Sequence, residues 1–130
     1  MRVYLGSTAD EVQDFITEQS LEVAEVYAPT PTYRSTHSEM DEEEIEFALS
    51  LLAAEDALEL RTEGTGAAIV IALEISEEAC AGFDDISAAL NAPLRWDQVE
   101  ALFTVDGDPE ELTWFAPQEA LNHIQEWLKA

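Results

Sequence analysis

The sequence predicts a single α/β (α+β) domain: a mixed sheet with helices packed on it, in the order β-α-β-α-β-β-β-β-α. Three observations carry that expectation. Strand-like and helix-like patterns alternate through the first half of the chain. A nearly continuous apolar run, residues 67–75, lies at its centre. Turn signals at Asn91-Ala92-Pro93 and Asp106-Gly107-Asp108-Pro109 then cut the last third into short strands before a final helix. At 130 residues, with 47% apolar residues, residues 1–130 form one globular domain large enough to bury a core.

The elements follow in order. Residues 2–5 read as a strand that Gly6 ends. Ser7 and Thr8 offer helix caps, with Asp10 and Glu11 three residues on from each, and Val12, Phe15 and Ile16 give residues 8–19 one apolar helical face. A second strand, about 21–28, runs into a corner set by Pro29 and Pro31, whose rings fix φ and push their predecessors towards extended geometry. A polar loop, residues 32–38, is expected next, leading into the longest helix. Its first turns, residues 39–46, are almost all carboxylate, and these acids complement the positive end of the helix dipole. Either Ser38 with Asp41 or Thr36 with Glu39 can cap it. Beyond Ile45 two apolar rows, Ile45-Leu49-Leu52 and Phe47-Leu51-Leu58, imply a helix pressed into the core.

The run at 67–75 is bounded by Gly66 upstream and Ser76-Glu77-Glu78 downstream, which marks a central strand buried on both faces. Gly64-Thr65-Gly66 resembles a phosphate loop only superficially, because it precedes a strand rather than opening a helix. Residues 85–90 read as a strand, Trp96-Asp97-Gln98 as a helical turn, and residues 99–105 and 112–115 as two antiparallel strands. Pro117 suits the first turn of a last helix with Ala120, Leu121, Ile124, Trp127 and Leu128 on one face.

Charge narrows the function classes. Twenty-nine acids against five lysines and arginines give a net charge of -24, spread through both halves of the chain. A field of that sign repels phosphates and anionic headgroups, so direct nucleic-acid or membrane binding is not expected, whereas a protein partner, above all a basic one, fits. Residues 1–5 are too short for a signal peptide, and no run reaches the roughly 18 apolar residues of a membrane span, so a cytoplasmic protein is expected. Cys80, alone, forms no internal disulfide and reads as a small half-buried apolar residue.

Several motifs together resemble a family of short, acidic actinobacterial proteins, a domain of unknown function. They are Met-Arg-Val-Tyr-Leu at the start, the corner Thr30-Pro31-Thr32-Tyr33-Arg34, the stretch Glu43-Glu44-Ile45-Glu46-Phe47-Ala48 leading to Ala53-Ala54-Glu55-Asp56-Ala57-Leu58, and Thr113-Trp114-Phe115-Ala116-Pro117-Gln118-Glu119. The resemblance runs nearly end to end and implies no activity. It departs at one place, where this chain has only residues 106–111 ahead of the Trp-aromatic motif and the family has a longer segment.

Candidate binding residues follow from residue type. Tyr33 and Arg34 in the corner, with His37, and Trp114, Gln118 and Glu119 at the last strand-to-helix junction are of kinds that concentrate binding energy at protein interfaces. Alternation along the strand predicts that one of Trp114 and Phe115 is buried. Arg34 has a scaffold alternative, pairing with the carboxylates at 39–46. His37 lies near Glu39 and Asp41, a set of the kind that ligates a transition metal, with a solvated loop histidine as the plainer reading, and His123 reads as a surface partner of Glu119 and Glu126. Asp106, Asp108 and Glu110 space their oxygens like a calcium loop, yet the loop is far shorter than the about 12 residues of an EF-hand. No Gly-x-Ser-x-Gly elbow is present, no catalytic set emerges and no cofactor is expected. The sequence therefore points first to a non-enzymatic interaction or regulatory protein. A small-molecule binder or enzyme, and an acidic mimic of DNA, are the alternatives.

Overall fold

Thirteen segments build the chain, in the order β1 (Arg2–Thr8), α1 (Ala9–Glu18), β2 (Ser20–Leu21), β3 (Glu25–Tyr27), α2 (Pro31–Thr36), α3 (Glu42–Leu60), β4 (Ala68–Glu74), β5 (Cys80–Phe83), β6 (Ser87–Leu90), β7 (Leu94–Arg95), β8 (Val99–Val105), β9 (Leu112–Phe115) and α4 (Pro117–Leu128). The computed structural model describes all 130 residues. Seven strands form one sheet in the order β5-β6-β3-β1-β4-β8-β9, and β2 pairs with β7 apart from it. The α+β class is borne out, and the expected mixed sheet narrows to one that is antiparallel at every pairing. The expected element order also holds once the short additions β2, α2, β5 and β7 are set aside. No helix is long and apolar enough to cross a membrane.

The central strand, β4, explains the layering. Its side chains alternate between two cores: Ile69, Ile71 and Leu73 face α1 and α4 with Phe15, Leu102, Ile124 and Trp127, while Ala68, Val70 and Ala72 face α3 with Ile45, Leu49 and Ala53. Helices thus cover both faces, which is why residues 67–75 read as an uninterrupted apolar run.

Gly6 does not end β1, which continues to Thr8 in register with β4, Gly6 opposite Val70. The glycine is there because α3 crosses the sheet at this point: a β-carbon on Gly6 would stand 2.4 Å from the Ala53 carbonyl oxygen and 2.8 Å from the Ala57 nitrogen. The face of α3 that meets β1 is correspondingly lined with Ala53, Ala54 and Ala57, all fully buried. Of the two apolar rows expected to bury this helix, the first is the deeper, with Ile45 and Leu49 buried and Leu52 half-buried, while in the second Leu51 and Leu58 are half-buried and Phe47 is 53% exposed. Gly66, at φ +79°, turns the chain so that the Ala67 N–H donates to the Trp127 carbonyl (2.8 Å) and fastens α4 to the start of β4.

Other local expectations need correction. The caps expected of Ser7 and Thr8 do not form, since both hydroxyls donate instead to carboxylates, of Glu11 and Asp10. The strand expected over 21–28 is two pieces, β2 and β3. The polar loop expected over 32–38 is largely the helix α2, and α3 begins at Glu42 rather than at Glu39. Its cap is Asp41, whose carboxylate accepts the Glu44 N–H (2.8 Å) while Glu44 accepts the Asp41 N–H (3.1 Å). In α4, Leu121 lies 56% exposed off the apolar face that Ala120, Ile124 and Trp127 bury.

Candidate functional site

The corner is built around Thr30. It is fully buried, its hydroxyl donates to the Asp85 carbonyl (2.5 Å), and the same oxygen accepts the Tyr33 N–H (3.0 Å), so one side chain ties the corner to the segment before β6 and caps α2. Pro31 opens α2 at the position where its missing N–H costs nothing. Tyr33 is thereby turned inward, buried in the core beneath α3, with the His37 ring stacked on it at 4.3 Å. Arg34 points outward and grips Glu42, in the first turn of α3, with two guanidinium nitrogens, while its Nε donates to the Pro29 carbonyl (3.3 Å). Those hydrogen bonds hold the Glu42 carboxyl below its ordinary pKa and raise that of Arg34. Arg34 therefore clasps α2 to α3, and of the corner residues singled out from sequence only its exposed face and His37 reach the surface.

No group of three or more His, Cys, Asp or Glu side chains gathers with metal-ligand geometry. His37 instead sets its Nδ1 3.1 Å from the Tyr33 carbonyl, and Asp41 is occupied as the cap of α3. In the turn between β8 and β9, Asp106 accepts a hydrogen bond from the Thr113 hydroxyl (2.8 Å), which closes the hairpin, and Asp108 and Glu110 project into solvent.

The last strand resolves the Trp114/Phe115 ambiguity. Register decides it: Phe115 lies opposite Leu102 and turns to the α1/α4 core, its ring 5.1 Å from Trp127 and 4.9 Å from His123. Trp114 lies opposite Phe103 on the other face and is 57% exposed. Glu119 is a cap, accepting the Ala116 N–H at 2.9 Å, and Gln118 is exposed on the first turn of α4. His123 lies 3.5 Å from Glu126, as its spacing suggested.

Around Trp114 the surface has a consistent character. On that face Phe103 and Leu112, both half-buried, form a short apolar strip with the exposed Trp114. Beside it the turn carries Asp106, Asp108, Glu110 and Glu111, all exposed. β9 closes the sheet, so one row of its backbone N–H and C=O groups faces away from any strand. Residue type alone selected Trp114, whereas the contribution of Phe103 depends on cross-strand register and could not be read from sequence.

Residues 1–111 match a family of unknown function, DUF6912. The chain belongs to that family. The DUF6912 match takes in the corner, α3 and the sheet as far as the β8–β9 turn, and β9 and α4 lie beyond it. No curated protein and no solved structure matches the chain.

Proposed function

We propose that this DUF6912 member is a non-enzymatic interaction protein that takes a basic segment of another protein along the β8–β9 edge. The observation that carries the reading is Trp114, more than half exposed on an edge strand with Phe103 beside it and four carboxylates in the adjoining turn. An edge strand offers backbone hydrogen bonds to an incoming extended segment, and alternate side chains of that segment then meet the strip and the acids. Indole supplies large contact area at little conformational cost, which is why it concentrates binding energy. The field of a -24 chain speeds the approach of a cationic partner and excludes polyanions.

Affinity capture from the native cell with wild-type and Trp114→Ala baits tests this. A protein with basic segments, retained by wild type, released by salt and lost from the variant, is the expected result. The variant should unfold within about 0.5 kcal/mol of wild type, because its ring is already largely in water. Equal capture by both baits overturns the proposal.

A further inference from the structure

β1 and β3 are sheet neighbours, yet they meet at a single residue pair, Tyr4 with Tyr27, whereas β1 pairs with β4 along its whole length. The strands run antiparallel, so the next pairs in line are Leu5 with Val26 and Gly6 with Glu25, and these do not form: Glu25 and Val26 stay paired with β6 while β1 stays paired with β4, and the two strands splay apart on the N-terminal side of Tyr27. What opens there, beneath the flank of α3, is a cleft of about 300 Å³, at the small end of the range that ligand sites occupy.

Its lining is chemically specific. The floor is apolar, from Leu5, Val26 and Ile86. Tyr4 and Tyr27 form aromatic walls, and at the mouth stand two carboxylates, Asp56 of α3 and Glu25 of β3. The Tyr27 hydroxyl donates to Asp56 Oδ2 at 2.6 Å, and the Ser87 hydroxyl donates to Glu25 at 3.4 Å. Burial first, and then the bond to Asp56, push the Tyr27 hydroxyl well above its ordinary pKa, so it remains a donor. No lysine, arginine or histidine lines the cleft. None of the ion pairs in the protein involves either carboxylate. Two negative groups, neither of them ion-paired, therefore flank an apolar and aromatic hole, and the Arg2 guanidinium beside it is engaged on Tyr4, its Nε donating to the tyrosine hydroxyl (3.0 Å).

We propose that this cleft binds a small organic cation: a protonated amine or guanidinium on a short apolar stem. The head reaches Asp56 and Glu25 through charge-assisted hydrogen bonds, and the stem lies against the tyrosine faces and the apolar floor. A neutral ligand leaves both carboxylates uncompensated, and an anion meets them directly. A bare calcium ion needs six or more oxygens, which these walls do not supply. The cleft shares no residue with the β8–β9 strip, so failure of either assignment leaves the other standing.

Amide-resolved NMR titration of the full chain tests the site. The probes are n-butylammonium, its neutral counterpart n-butanol, its anionic counterpart butyrate, and lysine blocked at both backbone ends. Saturable shifts centred on Leu5, Val26, Tyr27 and Ile86 are expected with butylammonium and neither counterpart. Binding of the blocked lysine as well means that the cation can arrive on a protein side chain; binding of butylammonium alone means a free amine. Asp56→Asn, which keeps an acceptor for Tyr27, should weaken binding about tenfold or more, and Glu25→Gln serves as a second variant should the first fail to fold. Glu59→Gln removes the same charge from the exposed face of α3 and should change nothing. The proposal is overturned if neither cation gives saturable shifts at these residues. It is equally overturned if butanol binds as well as butylammonium, or if Glu59→Gln weakens binding as much as Asp56→Asn.

Discussion

Adding one methyl group at Gly6 should strain the fold more than any other glycine-to-alanine change with φ in the ordinary range. The new carbon would stand 2.4 Å from the Ala53 carbonyl oxygen, 2.8 Å from the Ala57 nitrogen and 2.9 Å from the Asp56 β-carbon. These are backbone atoms or the first atom of a side chain in the middle of a nineteen-residue helix, so no rotamer change relieves the clash. Restoring ordinary contact distances requires α3 to lift by about 1 Å, and a gap of that size forfeits roughly a quarter to a half of each dispersion contact beneath it. The ridge that loses contact includes Leu49, Ala53 and Ala57, all fully buried. Overpacking a well-filled site costs about 1–3 kcal/mol where side chains can adjust. With backbone in the way we expect Gly6→Ala to lose ~3 kcal/mol, even after the roughly 0.4–1 kcal/mol gained from a stiffer unfolded chain. In a domain of this size that lowers the melting temperature by about 10 °C. Urea unfolding of Gly6→Ala and Gly82→Ala provides the comparison, because a β-carbon on Gly82 meets nothing within 4 Å and its φ is not positive. Gly82→Ala should stay within about 0.5 kcal/mol of wild type. A Gly6→Ala variant within about 1 kcal/mol of wild type, or no worse than Gly82→Ala, refutes the close-approach argument.

Four further outcomes are expected. With a net charge of -24, the melting temperature should rise as sodium chloride is increased from about 10 mM to about 500 mM, because screening shortens the reach of self-repulsion; a flat or falling midpoint contradicts this. Arg34→Ala should cost no more than about 1 kcal/mol, since the Arg34–Glu42 pair is exposed, and a loss above about 2 kcal/mol would make Arg34 a main structural support. Arg34 holds Glu42 below its ordinary 4.5, so the pair contributes above that pH and is lost as pH falls through the lowered value; Arg34→Ala should therefore flatten the acid limb of a stability-pH curve, and an unchanged limb counts against the pair. The raised pKa of Tyr27 has the opposite sign: its contribution is complete below the ordinary 10.0 and declines as pH rises towards the folded value. Tyr27→Phe should then lose less stability than wild type between about pH 9 and about pH 11, with Tyr4, also raised by burial, common to both proteins; identical slopes would show that the Tyr27–Asp56 bond does not couple to folding.

What the sequence determined by itself was whatever depends on near neighbours. Alternation and the Asp106-Gly107-Asp108-Pro109 turn placed β8 and β9 and their antiparallel pairing, Pro117 placed the start of α4, and the apolar run at 67–75 placed the strand with helices on both faces. Residue type alone also marked Trp114 and Arg34. Each of these signals is carried by a period of two or 3.6 residues, or by the fixed φ of proline, and needs no distant partner.

The tertiary structure decided what rests on residues far apart in the chain. The corner is buried where it is because the Thr30 hydroxyl, besides capping α2, is anchored on the carbonyl of Asp85, 55 positions away. Gly6 stays inside a strand because α3 crosses it, and the alanines of that helix are buried for the same reason. Trp114 faces out and Phe115 in because β8 sets their register, and the splaying of β3 from β1 beyond their one shared pair, Tyr4 with Tyr27, opens the cleft. Close approach, register and gaps are properties of pairs of segments, and a local pattern contains only one member of each pair.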